Sequence, residues 1–184
     1  AKYNTKIYVL ANELLRQNFE GTLYNKGREK KEKFPGSLQC TGTTYYVKPK
    51  SRESDKQREK RYEEIRQKYL QYYVLDKGYT AFSNWVTKLE KDEGVDLGEF
   101  FSNSVFIIDE AHNLIVASSN DSAEEKSEIT RRTLHRIFKK AKNTKLILLT
   151  ATPMTNEIDD IRILVNLLRS NDHRKQYSAR DLTK

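Results

Sequence analysis

The chain of 184 residues is poor in sulfur and in long apolar runs. Cys40 is its only cysteine, so no disulfide can form within it, and a cysteine-rich zinc centre is excluded. A lone thiol fits a reducing compartment. The three histidines, His112, His135 and His173, are scattered, and none forms a convincing metal-ligand pattern with another ligand-type residue. No apolar stretch approaches the ~20 residues needed to span a bilayer. The opening Ala1-Lys2-Tyr3-Asn4 leads into no signal peptide. A membrane is therefore not an expected partner.

What the chain does have is charge. One third of its residues are charged, 36% are apolar, and the formal net charge is +8. The length suits one domain with a real core. The positive surplus favours polyanionic partners such as DNA or RNA, although lysine placed for solubility would give the same number. The chain begins without Met and ends on a charged tail, so it reads as a piece of something longer.

Hydrophobic patterning divides the chain into short apolar runs and amphipathic stretches. Lys6 to Ala11 reads as a buried strand, and Asn12 to Phe19 as a helix with Leu14, Leu15 and Phe19 on one side. Turn residues Pro35-Gly36 and Thr41-Gly42 precede a β-rich Thr43 to Val47. Lys48 to Lys68 is dense in mixed charge and reads as a loop that becomes an exposed helix, a surface insertion spanning about 48–70. A basic arm on nucleic acid and a solvated helix laced with Glu–Lys pairs both describe it, and the second is the simpler. Tyr72 to Leu75 is a further short strand. Ala81 to Leu89 carries Phe82, Trp85, Val86 and Leu89 at helical spacing, a stripe that fits a core better than a base-stacking platform, and Asp92 to Gly98 reads as a turn region.

The second half alternates more cleanly. Val105 to Ile108 (VFII) is an apolar strand, expected to be buried on both faces in a parallel sheet. Ser122 to Lys142 reads as a helix with Ser122 and Glu125 as a capping box and Ile129, Leu134, Ile137 and Phe138 as its buried stripe. Lys145 to Leu149 is the next strand. Glu157 to Arg169 is a helix expected to bury Ile158, Ile161, Leu164, Val165 and Leu168. Strand, helix, strand, helix with short apolar strands predicts an α/β fold with a parallel sheet and right-handed crossovers.

Ligands of parallel sheets bind beyond the carboxyl ends of the strands. The strand 105–108 ends there in Asp109-Glu110-Ala111-His112. Two acids at the mouth of a buried strand suit a magnesium-bound nucleotide. One carboxylate can hold Mg²⁺, commonly through water, and the other can orient the water that attacks the γ-phosphate. Ala111 keeps the turn compact, and His112 can sense the phosphate. The next strand ends in Thr150-Ala151-Thr152-Pro153, which places two hydroxyls where they can reach the acid–histidine turn.

With these two motifs one crossover apart, the chain resembles superfamily 2 helicases and translocases. Ser104 to His112 (SVFIIDEAH) is similar to their motif II, the Walker B motif of DEAH-box type, and Leu148 to Asn156 (LLTATPMTN) to motif III. Thr152 to Asn156 and the amphipathic helix after it resemble the Snf2-like branch. Val9 to Phe19 stands where motif Ia would be, and Tyr73 to Phe82 where motif Ib would be. The nearest likeness is to helicase-like transcription ATPases of large cytoplasmic DNA viruses, such as nucleoside triphosphatase I and the early-transcription-factor subunit. The resemblance spans nearly the whole chain and rests mainly on 104–170.

The resemblance implies a RecA-like P-loop NTPase domain, the first of two motor domains, acting in viral-type transcription or DNA remodelling. Asp109 would help hold Mg²⁺ and Glu110 would be the catalytic carboxylate acting on ATP. His112, with Thr150, Ala151 and Thr152, would couple nucleotide state to the grip on nucleic acid. Asn12 and Arg16 would contact the phosphate backbone, with DNA favoured over RNA as the track. RNA polymerase or transcription factors would be partners, in host cytoplasm or virion for a viral protein and in nucleus or cytoplasm otherwise.

One departure limits this reading. The family's phosphate loop, G-x-x-x-x-G-K-[ST], occurs nowhere in the chain, and Gly21 and Gly27 lead only into Arg28-Glu29. The expectation is that the loop precedes residue 1, that the second motor domain follows residue 184, and that 1–184 alone is inactive. A helicase-like scaffold without hydrolysis is the alternative, and retention of both Asp109 and Glu110 speaks against it. A nuclease using the same acids would need further acids at other strand ends, and the sequence offers no strong candidates.

Overall fold

The computed structural model describes residues 5–23, 53–75, 77–115, 121–154 and 158–181. Four strands are present among them: β1 (Ile7–Leu10), β2 (Tyr73–Val74), β3 (Val105–Ile108) and β4 (Lys145–Leu148). They form one sheet in the order β2-β1-β3-β4. Every pairing is parallel, with Ile7 opposite Val105 and Val105 opposite Lys145. Helices α1 (Glu13–Leu23), α2 (Asp55–Leu70), α3 (Tyr79–Lys91), α4 (Leu97–Phe101), α5 (Asp121–Lys140) and α6 (Ile158–Asn171) connect and flank the strands. This is the α/β architecture that the strand–helix alternation predicts, and it agrees with a RecA-like domain. The β-rich run expected at Thr43 to Val47 lies outside the described residues.

The core forms on one face of the sheet. Tyr8 and Leu10 of β1 and Phe106 and Ile108 of β3 point into it, as the two-residue period of a strand requires. Phe82, Val86 and Leu89 of α3, Leu97 and Phe101 of α4, Leu134, Ile137 and Phe138 of α5, and Leu164 and Leu167 of α6 close over them. Tyr8 stacks on Phe106 with ring centroids 4.9 Å apart, and Phe106 meets Phe138 edge-on at 5.0 Å. Burial pushes the Tyr8 phenol up to about 12, against a hydrogen bond with Ser104 that acts the other way. The stripe on α3 is core, with Trp85 half-buried at its margin.

The other face is barer. Val105 and Ile107 are only partly buried, so β3 is not covered on both sides as its uniform apolar run suggests. On β4 the same face shows Ile147 at 44% exposure, and Leu149 just beyond it at 46%. The helices that fill the core, α3 to α6, lie on the even-numbered side; on the odd-numbered side Val9 of β1 is buried, and the strip opens to solvent towards β4.

Local corrections follow from packing. The region read as a turn, Asp92 to Gly98, is non-helical as far as Asp96 and then enters α4, which the reading did not include and whose Asp96 cap accepts from the Glu99 amide at 2.8 Å. Gly98 is needed there, because a Cβ would sit 3.0 Å from the Lys140 carbonyl and 2.9 Å from Asp96 Oδ1. On α5, Ile129 is exposed, while Thr130 and Thr133 are buried with their hydroxyls on the carbonyls of Lys126 and Ile129. The helix begins at Asp121, so Ser122 lies inside it rather than at its cap. On α6, Leu168 is exposed, Ile161 and Val165 are half-buried, and the buried positions are Leu164, Asn166, Leu167 and Ser170; the side chain of Ile158 lies outside the described set. Leu14 of α1 is exposed rather than packed.

The charged segment is helix α2, opened by a capping box between Ser54 and Gln57. Arginines form ion pairs along it: Arg58 with Asp55, Arg61 with Glu53, and Arg66 with both Glu63 and Glu20 of α1. No described helix is long and apolar enough to cross a membrane.

Candidate functional site

Parallel strands bring their carboxyl ends to one edge, and the ladder runs past the strands into the loops there. The Asp109 amide donates to the Leu10 carbonyl at 3.0 Å, Leu149 to Ile108 at 2.9 Å, and Ala111 to Leu149 at 2.9 Å. The turn after β3 is thus clamped between the ends of β1 and β4. Ala111 is fully buried at this point, which accounts for a small residue.

Within the turn, Glu110 is left-handed, at φ 53° and ψ 50°. Such backbone is uncommon for a residue with a long side chain and is found where surrounding structure enforces it, often at functional sites. A short 3₁₀ turn, Ala111–Leu114, follows. Asp109 Oδ1 accepts from the Glu110 amide at 3.0 Å, which fixes that carboxylate with its second oxygen uncommitted among the described contacts.

His112 joins the two strand ends. Its Nδ1 lies 3.2 Å from Glu110 Oε2 and 3.2 Å from Thr150 Oγ1, 38 residues along the chain. With Glu110 as a carboxylate, the ring hydrogen belongs on Nδ1, shared between the acid and the hydroxyl. Thr150 Oγ1 also accepts from the Thr152 amide at 3.2 Å, which shapes the loop after β4. Of the two hydroxyls expected at this turn, Thr150 reaches it; Thr152 takes part through its backbone, and its side chain, like that of Ala151, is exposed.

Tyr79 is a contact the sequence did not announce. Its phenol donates to the Asp109 carbonyl and lies 3.4 Å from that of Glu110. Burial first, and then the nearby Asp109 carboxylate, push its ionisation upward, so it remains a neutral donor. Thirty residues separate the partners, and nothing in a tyrosine at the start of a helix signals that pairing.

The two backbone-contact candidates sit at the end of β1. Asn12 caps α1, its Oδ1 accepting from the Leu15 amide at 2.9 Å. Arg16 donates from Nη1 to the Leu75 carbonyl at 2.8 Å, tying α1 to the end of β2, while its Nε is buried without a partner. Both side chains therefore have local structural work at the same sheet edge as Asp109 and Thr150.

The chemistry of the edge suits a hydrated divalent cation. Among the described residues no group of three or more His, Cys, Asp or Glu side chains could cage a metal. Mg²⁺ does not need such a cage: it keeps several waters and is commonly held by one or two carboxylates plus substrate phosphates. Asp109, with one oxygen uncommitted, fits that role.

Comparison with known proteins adds a direction. Over 95% of its length the chain is 26% identical to a protein of Acanthamoeba polyphaga mimivirus provisionally named as an ATP-dependent RNA helicase. Over 37% of its length it is 40% identical to a protein of Invertebrate iridescent virus 3 provisionally named as a helicase. The similarity is to helicase-like viral proteins. The chain spans only 15% and 6% of these relatives' own lengths. No family model matches it, and no solved structure does.

Proposed function

We propose that the chain is part of the first motor domain of a nucleic-acid-dependent ATPase of the helicase type. The observation that carries this reading is the junction of the Asp109-Glu110 pair with Thr150 through His112. Acids at the carboxyl end of one parallel strand are joined there to a hydroxyl at the end of its neighbour. The similarity to viral proteins with helicase names supports the same reading.

In this reading Asp109 would help hold Mg²⁺, which would neutralise phosphate charge. Glu110 orients the attacking water and accepts its proton. His112 and Thr150 connect the position of Glu110 to the loop 150–154, so that a change at the phosphate shifts the strand end beside it. Ala151 and Thr152 shape that loop. Asn12 and Arg16 lie at the nucleic-acid side of the same edge. The phosphate cradle comes from outside these 184 residues, since no phosphate loop occurs in them. The track is DNA, the setting is viral-type transcription or DNA remodelling inside the cell, and RNA polymerase or transcription factors are partners.

The test is ATP hydrolysis by the full-length protein, with and without DNA or RNA, beside Glu110→Gln. Stimulation by nucleic acid and its loss in Glu110→Gln support the motor. Absence of any Glu110-dependent hydrolysis sinks it and leaves a helicase-like scaffold.

A further inference from the structure

The amino edge of the sheet, opposite the acidic pair, carries a second concave feature. The Thr144 hydroxyl, just before β4, donates to Asn171 Oδ1 at 2.7 Å, so the end of α6 lies at the start of the sheet. There the ends of α5 and α6 and the segment after α6 border an open recess of about 470 Å³, lined by Lys139, Ser170, His173, Arg174, Lys175 and Gln176. None of the six is acidic.

The walls are fixed by specific contacts. Buried Ser170 shares its hydroxyl with His135 Nδ1 at 2.7 Å and accepts from Gln176 Nε2 at 2.6 Å. Asn166, also buried, makes two bonds to the Tyr177 backbone, at 2.8 and 2.7 Å. The Arg169 guanidinium lies over the Tyr177 ring, 4.1 Å from its centroid, and its Nε donates to the Lys175 carbonyl. The backbone that presents Arg174 and Lys175 is therefore held on both sides before any ligand arrives.

The charges of the recess are less closely paired than those of their neighbours. On the flank of α5 that faces α3, Arg136 and Lys140 both reach Glu90, at 2.8 and 3.2 Å, and Arg132 pairs with Glu128. Lys139 has no ion pair among the described residues, Lys175 meets Asp181 only through longer-range attraction, and Arg174 has Asp172 at 4.0 Å. Lys139 stands in the last turn of α5, where a cation also complements the helix dipole. Arg174 and Lys175 lie beyond α6 in non-helical backbone, where that account does not apply.

We propose that this recess binds the phosphodiester backbone of nucleic acid, at a site separate from the ATP-facing edge. Strands of four residues at about 3.3 Å each place the two edges on the order of 13 Å apart. The contact is to phosphate rather than to bases: the lining has three cations and no Phe, Tyr or Trp, and the nearby Tyr177 face is already covered by Arg169. Binding here needs no ATP hydrolysis, so it stands or falls independently of the motor reading.

The experiment is fluorescence anisotropy of this chain with labelled DNA and RNA oligonucleotides over a salt series. The variants are Lys139→Ala/Arg174→Ala/Lys175→Ala and a charge-matched control on α2, Lys56→Ala/Lys60→Ala/Lys68→Ala. The recess variant is expected to bind about tenfold more weakly or worse, with the slope of log K against log salt lower by about 2–3, since each phosphate contact contributes about 0.9. The control should change little. Arg174→Ala/Lys175→Ala leaves both helix ends intact and should give most of the loss with an unchanged melting temperature. Equal weakening by the recess and control variants would show net charge alone at work and overturn the site. So would unchanged binding in the recess variants, or displacement of the oligonucleotide by poly-glutamate as readily as by unlabelled nucleic acid.

Discussion

The phenol of Tyr79 donates to the main-chain carbonyl of Asp109, which fastens the first turn of α3 to the turn that bears both acids. The contact matters because Glu110 beside it is held left-handed. Tyr79→Phe removes the donor and leaves a half-buried carbonyl without it. We expect a loss of about 1 kcal/mol of stability, seen as a lower melting temperature in circular dichroism with secondary structure intact. An unchanged melt would mean that the turn holds itself.

In the full-length protein, Thr150→Val keeps the shape and removes the hydroxyl that meets His112. If His112 and Thr150 couple the strand ends, nucleic-acid stimulation of ATP hydrolysis falls by roughly 2- to 10-fold, the equivalent of one hydrogen bond. Basal hydrolysis changes less. Equal loss of both rates would make Thr150 a part of the hydrolytic step instead.

Glu110→Gln is nearly isosteric and cannot accept a proton. Hydrolysis should fall by about 10²–10⁴-fold, the usual contribution of a positioned general base, with ATP binding retained. A rate within threefold of wild type removes Glu110 from the chemistry.

His135 gives a pH dependence. Burial, then the charges of Lys139 and Arg131, lower its pKa below 6.5, and it rests against Ser170 and Gln176. The unfolded chain therefore binds the proton more readily than the folded one. The stabilising contribution of neutral His135 is fully present above about pH 6.5 and is lost as pH falls below it. His135→Gln should flatten the decline of melting temperature between pH 7.5 and 5.5. Parallel curves for both proteins would place the decline elsewhere.

Gly98→Ala tests the α4–α5 contact. The new methyl would meet the Lys140 carbonyl at 3.0 Å and the Lys140 Cβ at 3.1 Å. Backbone cannot yield as a side-chain tip can, so the cost is about 1–3 kcal/mol, measured by urea denaturation. Full stability would show that α4 shifts freely.

Sequence patterning located β3 and β4 to within a residue because four apolar residues bounded by turn signals leave little choice. It missed α4, since five residues are too short to show a period. It misassigned Ile129 and Leu168 because periodicity gives a face, whereas burial depends on what the helix meets. On α5 the buried positions include Thr130 and Thr133, whose hydroxyls are satisfied within their own helix. At the site, Asp109, Glu110 and His112 are neighbours in sequence and were legible as a group. Thr150 required only that adjacent strands end at one edge. Tyr79 and the recess around Ser170 depend on contacts between distant segments that no local pattern encodes.

The bare strip along β4 bears on what a stability measurement means here. Ile147 and Leu149, each nearly half exposed, leave about 2 kcal/mol of burial unrealised between them. Any element laid across that strip would gain it without altering a single hydrogen bond of the sheet. The same fold would unfold at a higher temperature wherever an apolar surface lies against this part of β4.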